Sequence, residues 1–281
     1  MLSLLALLTL CGSSASATLT GDNGINYHLN VAAIRRHILS SNYDGAEDAE
    51  KLLTIIPPAS NRSAESYIIE GENQTYSLAG TLVYVGVRIF NIASVDITNN
   101  EIKLKVWFRL QWQDDRLAWD PAQFGGVRLI QMRANGLTDA ELSEIWVPDI
   151  IPYNSRDGIS STLEPAIASV DSTGQVYWSR PGVLDVICAF SGLNNFPYDT
   201  LRCPIDIGGW LVPPAQQGIA LWGDGIEILP KEGTERSAVN TYSEWELQGA
   251  TAEIVYNYYP SCARQRPRAR DGQSARTRAI R

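Results

Sequence analysis

Histidine is scarce: the chain has two, His28 and His37, both near its N-terminus. That argues against a histidine-ligated metal centre or a Ser-His-Asp triad in the body of the protein. Long apolar runs are also scarce. After the first dozen residues no stretch approaches the roughly 20 apolar residues a membrane helix needs. Charged residues make up only 19% of the chain, while 44% are apolar over 281 residues, enough for one large domain or two small ones with a real core, and too apolar for general disorder. Aromatic residues are plentiful, with 8 Trp and 12 Tyr against 5 Phe. Tryptophan and tyrosine join a large apolar face to a polar handle, which suits cores, interfaces and ligand cages better than acid/base chemistry.

The chain begins MLSLLALLTLCGSSASA, an apolar run followed by small residues with Ala15-Ser16-Ala17 at a cleavage-type position. Residues 1–17 read as a secretory signal peptide, although no Lys or Arg precedes the run; a membrane anchor is the alternative. The mature chain is then expected outside the cytoplasm, where disulfides form. Asn61-Arg62-Ser63 and Asn73-Gln74-Thr75 are glycosylation sequons consistent with that route. Without Cys11 three cysteines remain, Cys188, Cys203 and Cys262, and one pair plus one orphan is the simplest reading.

Charge is unevenly distributed. Residues 263–281 carry seven Arg and one Asp, a net +6, so residues 1–262 hold −14 of a whole-chain charge of −8. An acidic body argues against nucleic acid as partner and favours cationic ligands. The basic tail lacks hydrophobic period and is expected to be disordered, either as a polyanion-binding tail or as an out-of-frame extension.

Apolar periodicity is mostly two. Residues 29–39 place Val31, Ile34, Ile38 and Leu39 on one face and read as a short amphipathic helix. Residues 44–76 are polar, with Pro57-Pro58 and both sequons, and read mainly as loop. From Thr81, Val83, Val85, Val87 and Ile89 alternate with other residues as in a strand. After a turn at Asn99-Asn100, Ile102, Leu104, Val106, Phe108, Leu110 and Trp112 share one face, which leaves Trp107 outward among Lys103, Lys105, Arg109 and Gln111. An outward Trp has two readings, a cross-strand or interface contact and the wall of a ligand site. Shorter strands are expected at 144–148, 166–170, 175–178, 183–190, 202–207, 219–221, 242–250 and 253–258, with a linker at 128–143. Short strands separated by Gly, Pro, Asn and Asp, with no helix between them, predict an antiparallel sandwich or barrel.

The segment from Trp107 to Trp119, then Phe124-Gly-Gly-Val127, Ile145-Trp-Val-Pro-Asp-Ile-Ile-Pro-Tyr-Asn154 and Asp157-Gly158, resembles the extracellular domain of nicotinic acetylcholine receptor subunits. Val176-Tyr-Trp-Ser-Arg-Pro-Gly182, Cys188, Phe196-Pro-Tyr-Asp199, Cys203 and Gly208-Gly-Trp210 follow in the same order. The resemblance runs from about Val83 to Cys262 and identifies a member of the Cys-loop, or pentameric ligand-gated, channel family. It implies an all-β, immunoglobulin-like sandwich of about ten strands behind an N-terminal helix, with Cys188 and Cys203 joined. It also implies head-to-tail assembly of like subunits, one kind or several, into a pentameric ring.

By the same resemblance, a small amine or quaternary ammonium agonist sits at the subunit seam in an aromatic cage and gates ion flow in the full receptor. The front face would contribute Tyr153, Trp210 and Tyr259, and the back face Trp107, Tyr177 and Ser179. That favours the second reading of Trp107. The faces of Trp and Tyr attract a cation by about 0.5 to 2 kcal/mol per contact once water is excluded. Phe196, Pro197, Tyr198 and Asp199 would form the gating loop facing the membrane. Asp114, Arg116, Trp119, Trp146 and Pro148 read as scaffold. No catalytic, metal or cofactor site is implied; an enzyme using paired carboxylates on a glycan finds no pair that stands out.

The likeness stops at Cys262, where the family has a cysteine pair and Ser261 stands in place of the first. The domain, 18–262, is therefore expected to lack its last strand, with residues 263–281 a disordered tail. The alternative to a channel subunit is a soluble, secreted ligand-binding protein resembling acetylcholine-binding protein.

Overall fold

The computed structural model describes residues 24–40, 54, 56–59, 65–68, 75–78, 80–135, 143–157, 163, 166–188, 190, 201–213, 215–228, 241–242, 245–246, 249–258 and 271–278. Helix α1, Gly24–Ile38, comes first. Ile34 and Ile38, one turn apart on one face, are fully buried, and Arg35, Arg36 and His37 in the last turn complement the negative end of the helix dipole. The helix starts earlier than its apolar period, because its first turns carry exposed side chains such as Tyr27 and Leu29.

The strands follow in order: β1 Glu65–Ile68, β2 Thr75–Leu78, β3 Thr81–Asp96, β4 Glu101–Gln113, β5 Leu129–Met132, β6 Ile151–Pro152, β7 Ala168–Asp171, β8 Gln175–Ile187, β9 Ile205–Gly208, β10 Gln217–Ile228, β11 Thr241–Tyr242, β12 Trp245–Glu246, β13 Thr251–Tyr258 and β14 Asp271–Arg278. A six-stranded sheet, β10-β3-β4-β8-β7-β5, and a four-stranded sheet, β13-β14-β9-β6, supply ten strands of a sandwich. All pairs in these two sheets are antiparallel except β10 with β3.

The long strands form where alternation is strongest. All six inward residues expected on β4, Ile102 to Trp112, are buried, as are Val83, Val85, Val87 and Ile89 on β3. They pack in one core with Val176, Trp178, Leu184 and Val186 of β8 and Ile205 and Ile207 of β9. The β3–β4 turn falls at the expected pair: Asn100 takes a left-handed φ of 54°, which asparagine tolerates, and Asn99 donates its N–H to Asp96 Oδ1 at 3.0 Å.

The expected scaffold residues are in the core or tied to it. Trp112 and Trp146 meet edge to face, ring centroids 5.9 Å apart. Trp119 Nε1 donates to Val127 O at 2.9 Å, and the Arg116 guanidinium forks onto the buried Asp114 carboxylate with both bonds at 2.8 Å. Cys188 and Cys203 form a disulfide, Cα atoms 5.0 Å apart.

Several expectations are corrected. Residues 263–281 are not structureless throughout, and the sheet is not left without a last strand, because β14 lies between β13 and β9 and pairs with both. Strand pairing uses backbone groups, so a basic, period-free segment can fill a slot between two strands that would otherwise present open edges. The single strand β8 replaces the two expected at 175–178 and 183–190. Pro181, opposite Trp107, lies beyond the short pairing with β7, so no second strand needs its missing N–H. Strand β5 arises inside the expected linker, and β1 and the first half of β2 inside the expected loop; four residues are too few for a period to show. Residues 144–148 form no strand: Ile145, Trp146 and Val147 are buried in succession, without a solvent face. Strand β10 outruns the expected 219–221, since its ladder resumes past a bulge where Gly223 and Gly225 take φ of 60° and 76°.

No helix among the described residues is long and apolar enough to cross a membrane. Residues 1–17, Asn61, Asn73, the Phe196, Pro197, Tyr198 and Asp199 loop, Tyr259 and Cys262 lie outside the described residues.

Candidate functional site

Two of the three expected front-face residues are brought together. Tyr153 follows β6 and Trp210 follows β9, neighbouring strands of the four-stranded sheet, and their rings lie 6.3 Å apart and tilted by 54°. Trp210 is 68% exposed, an unusual state for so large an apolar surface, and Leu211 beside it is equally open.

Backbone bonds hold this open position. The carboxylate of Asp149, only 5% exposed, accepts N–H bonds from Trp210 at 2.8 Å, from Val212 at 3.0 Å, and from Leu211 between them. A buried carboxylate that collects three donors is satisfied without a cation, and it fixes the loop by charge-assisted bonds. Tyr153 is seated from both ends: its N–H donates to Asp206 O at 2.7 Å and its hydroxyl to Gly209 O. Gly208 leaves the room, since a Cβ there would come 2.5 Å from the Tyr153 hydroxyl.

The back-face set also shares a surface. Trp107, Tyr177 and Ser179 all lie on the outer face of the six-stranded sheet, where Tyr177 pairs with Gln111 and Ser179 with Arg109 across β4 and β8. Trp107 is half-buried and meets Phe90 edge to face at 4.9 Å. Phe90 lies two residues after Arg88, the partner of Trp107 across β3 and β4, and so shares its outer face. Trp107 thus makes a cross-strand contact in addition to any other role.

Three neighbours here were not singled out from the sequence. Trp222, on the bulge of β10, meets Tyr177 edge to face at 5.4 Å, and the Arg109 guanidinium lies 5.0 Å from the Trp222 ring centroid. Glu227 bridges Arg88 and Arg109, reaching the latter at 3.6 Å. Burial and the charge of Arg88 push the Arg109 guanidinium below its ordinary pKa, against the opposing pull of Tyr177 and Glu227. With two arginines against one glutamate, this patch has net positive charge. Among the described residues no group of His, Cys, Asp and Glu has the makings of a metal site.

The sequence pattern of the family described as "Neurotransmitter-gated ion-channel ligand binding domain" matches residues 64–270, well over half of the chain. The chain belongs to this family. Its relatives include acetylcholine receptor subunit alpha-L1 of Schistocerca gregaria, 29% identical over 198 residues covering 66% of this chain and 32% of the relative. Acetylcholine receptor subunit alpha-like 2 of Drosophila melanogaster is 29% identical over 194 residues, 66% of this chain and 31% of the relative. Neuronal acetylcholine receptor subunit alpha-2 of Pan troglodytes is 27% identical over 182 residues, 65% of this chain and 31% of the relative. The matched stretch thus spans about a third of the length of these relatives.

Both aromatic sets and the Cys188–Cys203 pair fall within the stretch matched to the ligand-binding domain family. Asp149 stands in the Trp-Val-Pro-Asp segment, so its place was legible although its role was not. Trp222 had no such signal, because it acts across a sheet rather than along one.

Proposed function

We propose that this domain binds a small amine or quaternary ammonium agonist in an aromatic cage at a subunit seam, within a pentamer of like subunits, and that binding gates ion flow in the full receptor. The observation that carries the reading is the exposed Trp210 held beside Tyr153 by the buried Asp149. Exposing an indole loses the benefit of burying it, and a fixed indole that faces solvent is suited to a partner that arrives later. Tyr153 and Trp210 belong to the four-stranded side, and Trp107, Tyr177 and Ser179 to the six-stranded sheet. Two half-sites on separate sheets suit a head-to-tail ring, in which the front of one subunit meets the back of the next. The acetylcholine receptor names of the relatives support an ammonium ligand.

The chain is read as entering the secretory route by residues 1–17, with glycans at Asn61 and Asn73, and as standing on the outer face of the cell membrane. The loop of Phe196, Pro197, Tyr198 and Asp199, closed by the disulfide, is its element for coupling to a pore. Trp210→Ala is expected to weaken acetylcholine binding at least about tenfold, or 1.4 kcal/mol, in equilibrium titrations of receptors containing this domain. Unchanged affinity would take Trp210 out of the site.

A further inference from the structure

We infer that Gln217 is a positioning residue that sets both front-face aromatics, Tyr153 and Trp210, by locking the turn behind them. Gln217 opens β10, and its side chain is 2% exposed. It makes two bonds to one residue: its Oε1 accepts the Asp149 N–H at 2.8 Å and its Nε2 donates to Asp149 O at 2.9 Å. A primary amide used this way imitates a backbone strand partner, and it grips Asp149 where no strand is present. Gripped on both sides, Asp149 presents its carboxylate to the N–H groups of Trp210, Leu211 and Val212.

The second aromatic is reached through Gly209. A Cβ on Gly209 would lie 3.3 Å from Asp149 O and 3.4 Å from Gln217 Nε2, so this peptide packs directly on the locked turn. The carbonyl of the same Gly209 takes the Tyr153 hydroxyl. Gln217 itself stands on firm ground. Its N–H donates to Pro213 O at 3.0 Å, and its backbone is in register with Thr81 of β3, whose hydroxyl donates to Pro58 O at 2.6 Å. One buried amide therefore ties the loop after β9, in the four-stranded sheet, to the edge strand β10 of the six-stranded sheet and, through its pairing, to β3. Leucine or methionine would fill the volume and leave the Asp149 N–H and C=O without their partners, which makes polarity at this position an expense justified only by what it holds.

The test is hydrogen exchange on the full chain, unmodified and as Gln217→Met, with Asp149→Asn as reference. Gln217→Met is expected to speed exchange of the 210–212 amides tenfold or more while amides of β4 and β8 change less than twofold. Unchanged exchange at 210–212, or an equal acceleration throughout β4 and β8, overturns the inference. Should Gln217→Met not accumulate, the side-chain amide protons of Gln217 in the unmodified, nitrogen-15-labelled chain decide: slow exchange supports the lock, and exchange at the free-solvent rate overturns it. The bearing on ligand rests on the reading proposed above. Acetylcholine affinity is expected to fall about tenfold in Gln217→Met when measured well below its melting temperature, where the chain remains folded, which support of the fold alone would not produce; unchanged affinity despite accelerated exchange overturns the link from lock to ligand. Absence of acetylcholine binding to the unmodified chain overturns the ligand reading, and the exchange data still decide the lock.

Discussion

Gly208 shows how a single atom can decide a site. Its missing Cβ leaves space for the Tyr153 ring, whose Oη and Cζ would otherwise lie 2.5 Å and 2.8 Å away. Tyr153 cannot simply yield, since its hydroxyl is bonded to Gly209 and its N–H to Asp206. Gly208→Ala is expected to cost about 1–3 kcal/mol by overpacking. In a Tyr153→Ala background the same change should cost markedly less, and thermal melts of the four species measure that coupling. Additive losses would mean that the two residues do not meet. The Gly208-Gly209-Trp210 run was legible in the sequence as a likeness. The need for glycine was not, because the ring that fills the space lies 55 residues away in the chain.

Elements are joined by a few charged residues whose partners are distant in sequence. Helix α1 is tied to the strand layer by Arg35, which donates to Gln131 O beside Met132 and pairs with Glu144; Arg133 adds a second cation at 3.2 Å. Burial pushes the Glu144 carboxyl up, but the Arg133 N–H and the Arg35 guanidinium outweigh it and hold the group below its ordinary pKa of 4.5. A depressed carboxyl stabilises the fold above its unfolded pKa and loses that contribution as pH falls through its folded one. Melting temperature is thus expected to drop below about pH 4.5, and Glu144→Gln should flatten that drop while lowering stability at neutral pH. An acid limb of the same steepness in Glu144→Gln would assign the pH dependence to other carboxylates. The elements themselves divide by length: β3, β4 and β13 were visible because alternation over eight residues or more is unambiguous. Strands β1, β2, β5, β6 and β14 were missed because pairing with a neighbour, rather than their own side chains, makes them strands.

At the scale of the molecule, the Cys188–Cys203 bond closes a loop of 14 intervening residues, and both cysteines are buried in the core. Replacing both cysteines by serine is expected to remove about 3 kcal/mol, by the chain-entropy account for a loop of this size, read from urea unfolding midpoints. A loss under about 1 kcal/mol would mean that the loop is already restrained when reduced. What the sequence alone determined was the all-β class, the inner face of the long strands, the N-terminal helix and the family, because these rest on local period and on motifs contiguous in the chain. Tertiary structure decided the rest. It decided that Tyr153 and Trp210 meet, that Trp222 and Arg109 join Tyr177, that Gln217 stands behind Asp149, and that β14 enters a sheet its composition does not advertise. Each of these depends on backbone and side-chain groups brought together from distant positions, and a hydrogen bond or ring contact leaves no period in the sequence by which to find it.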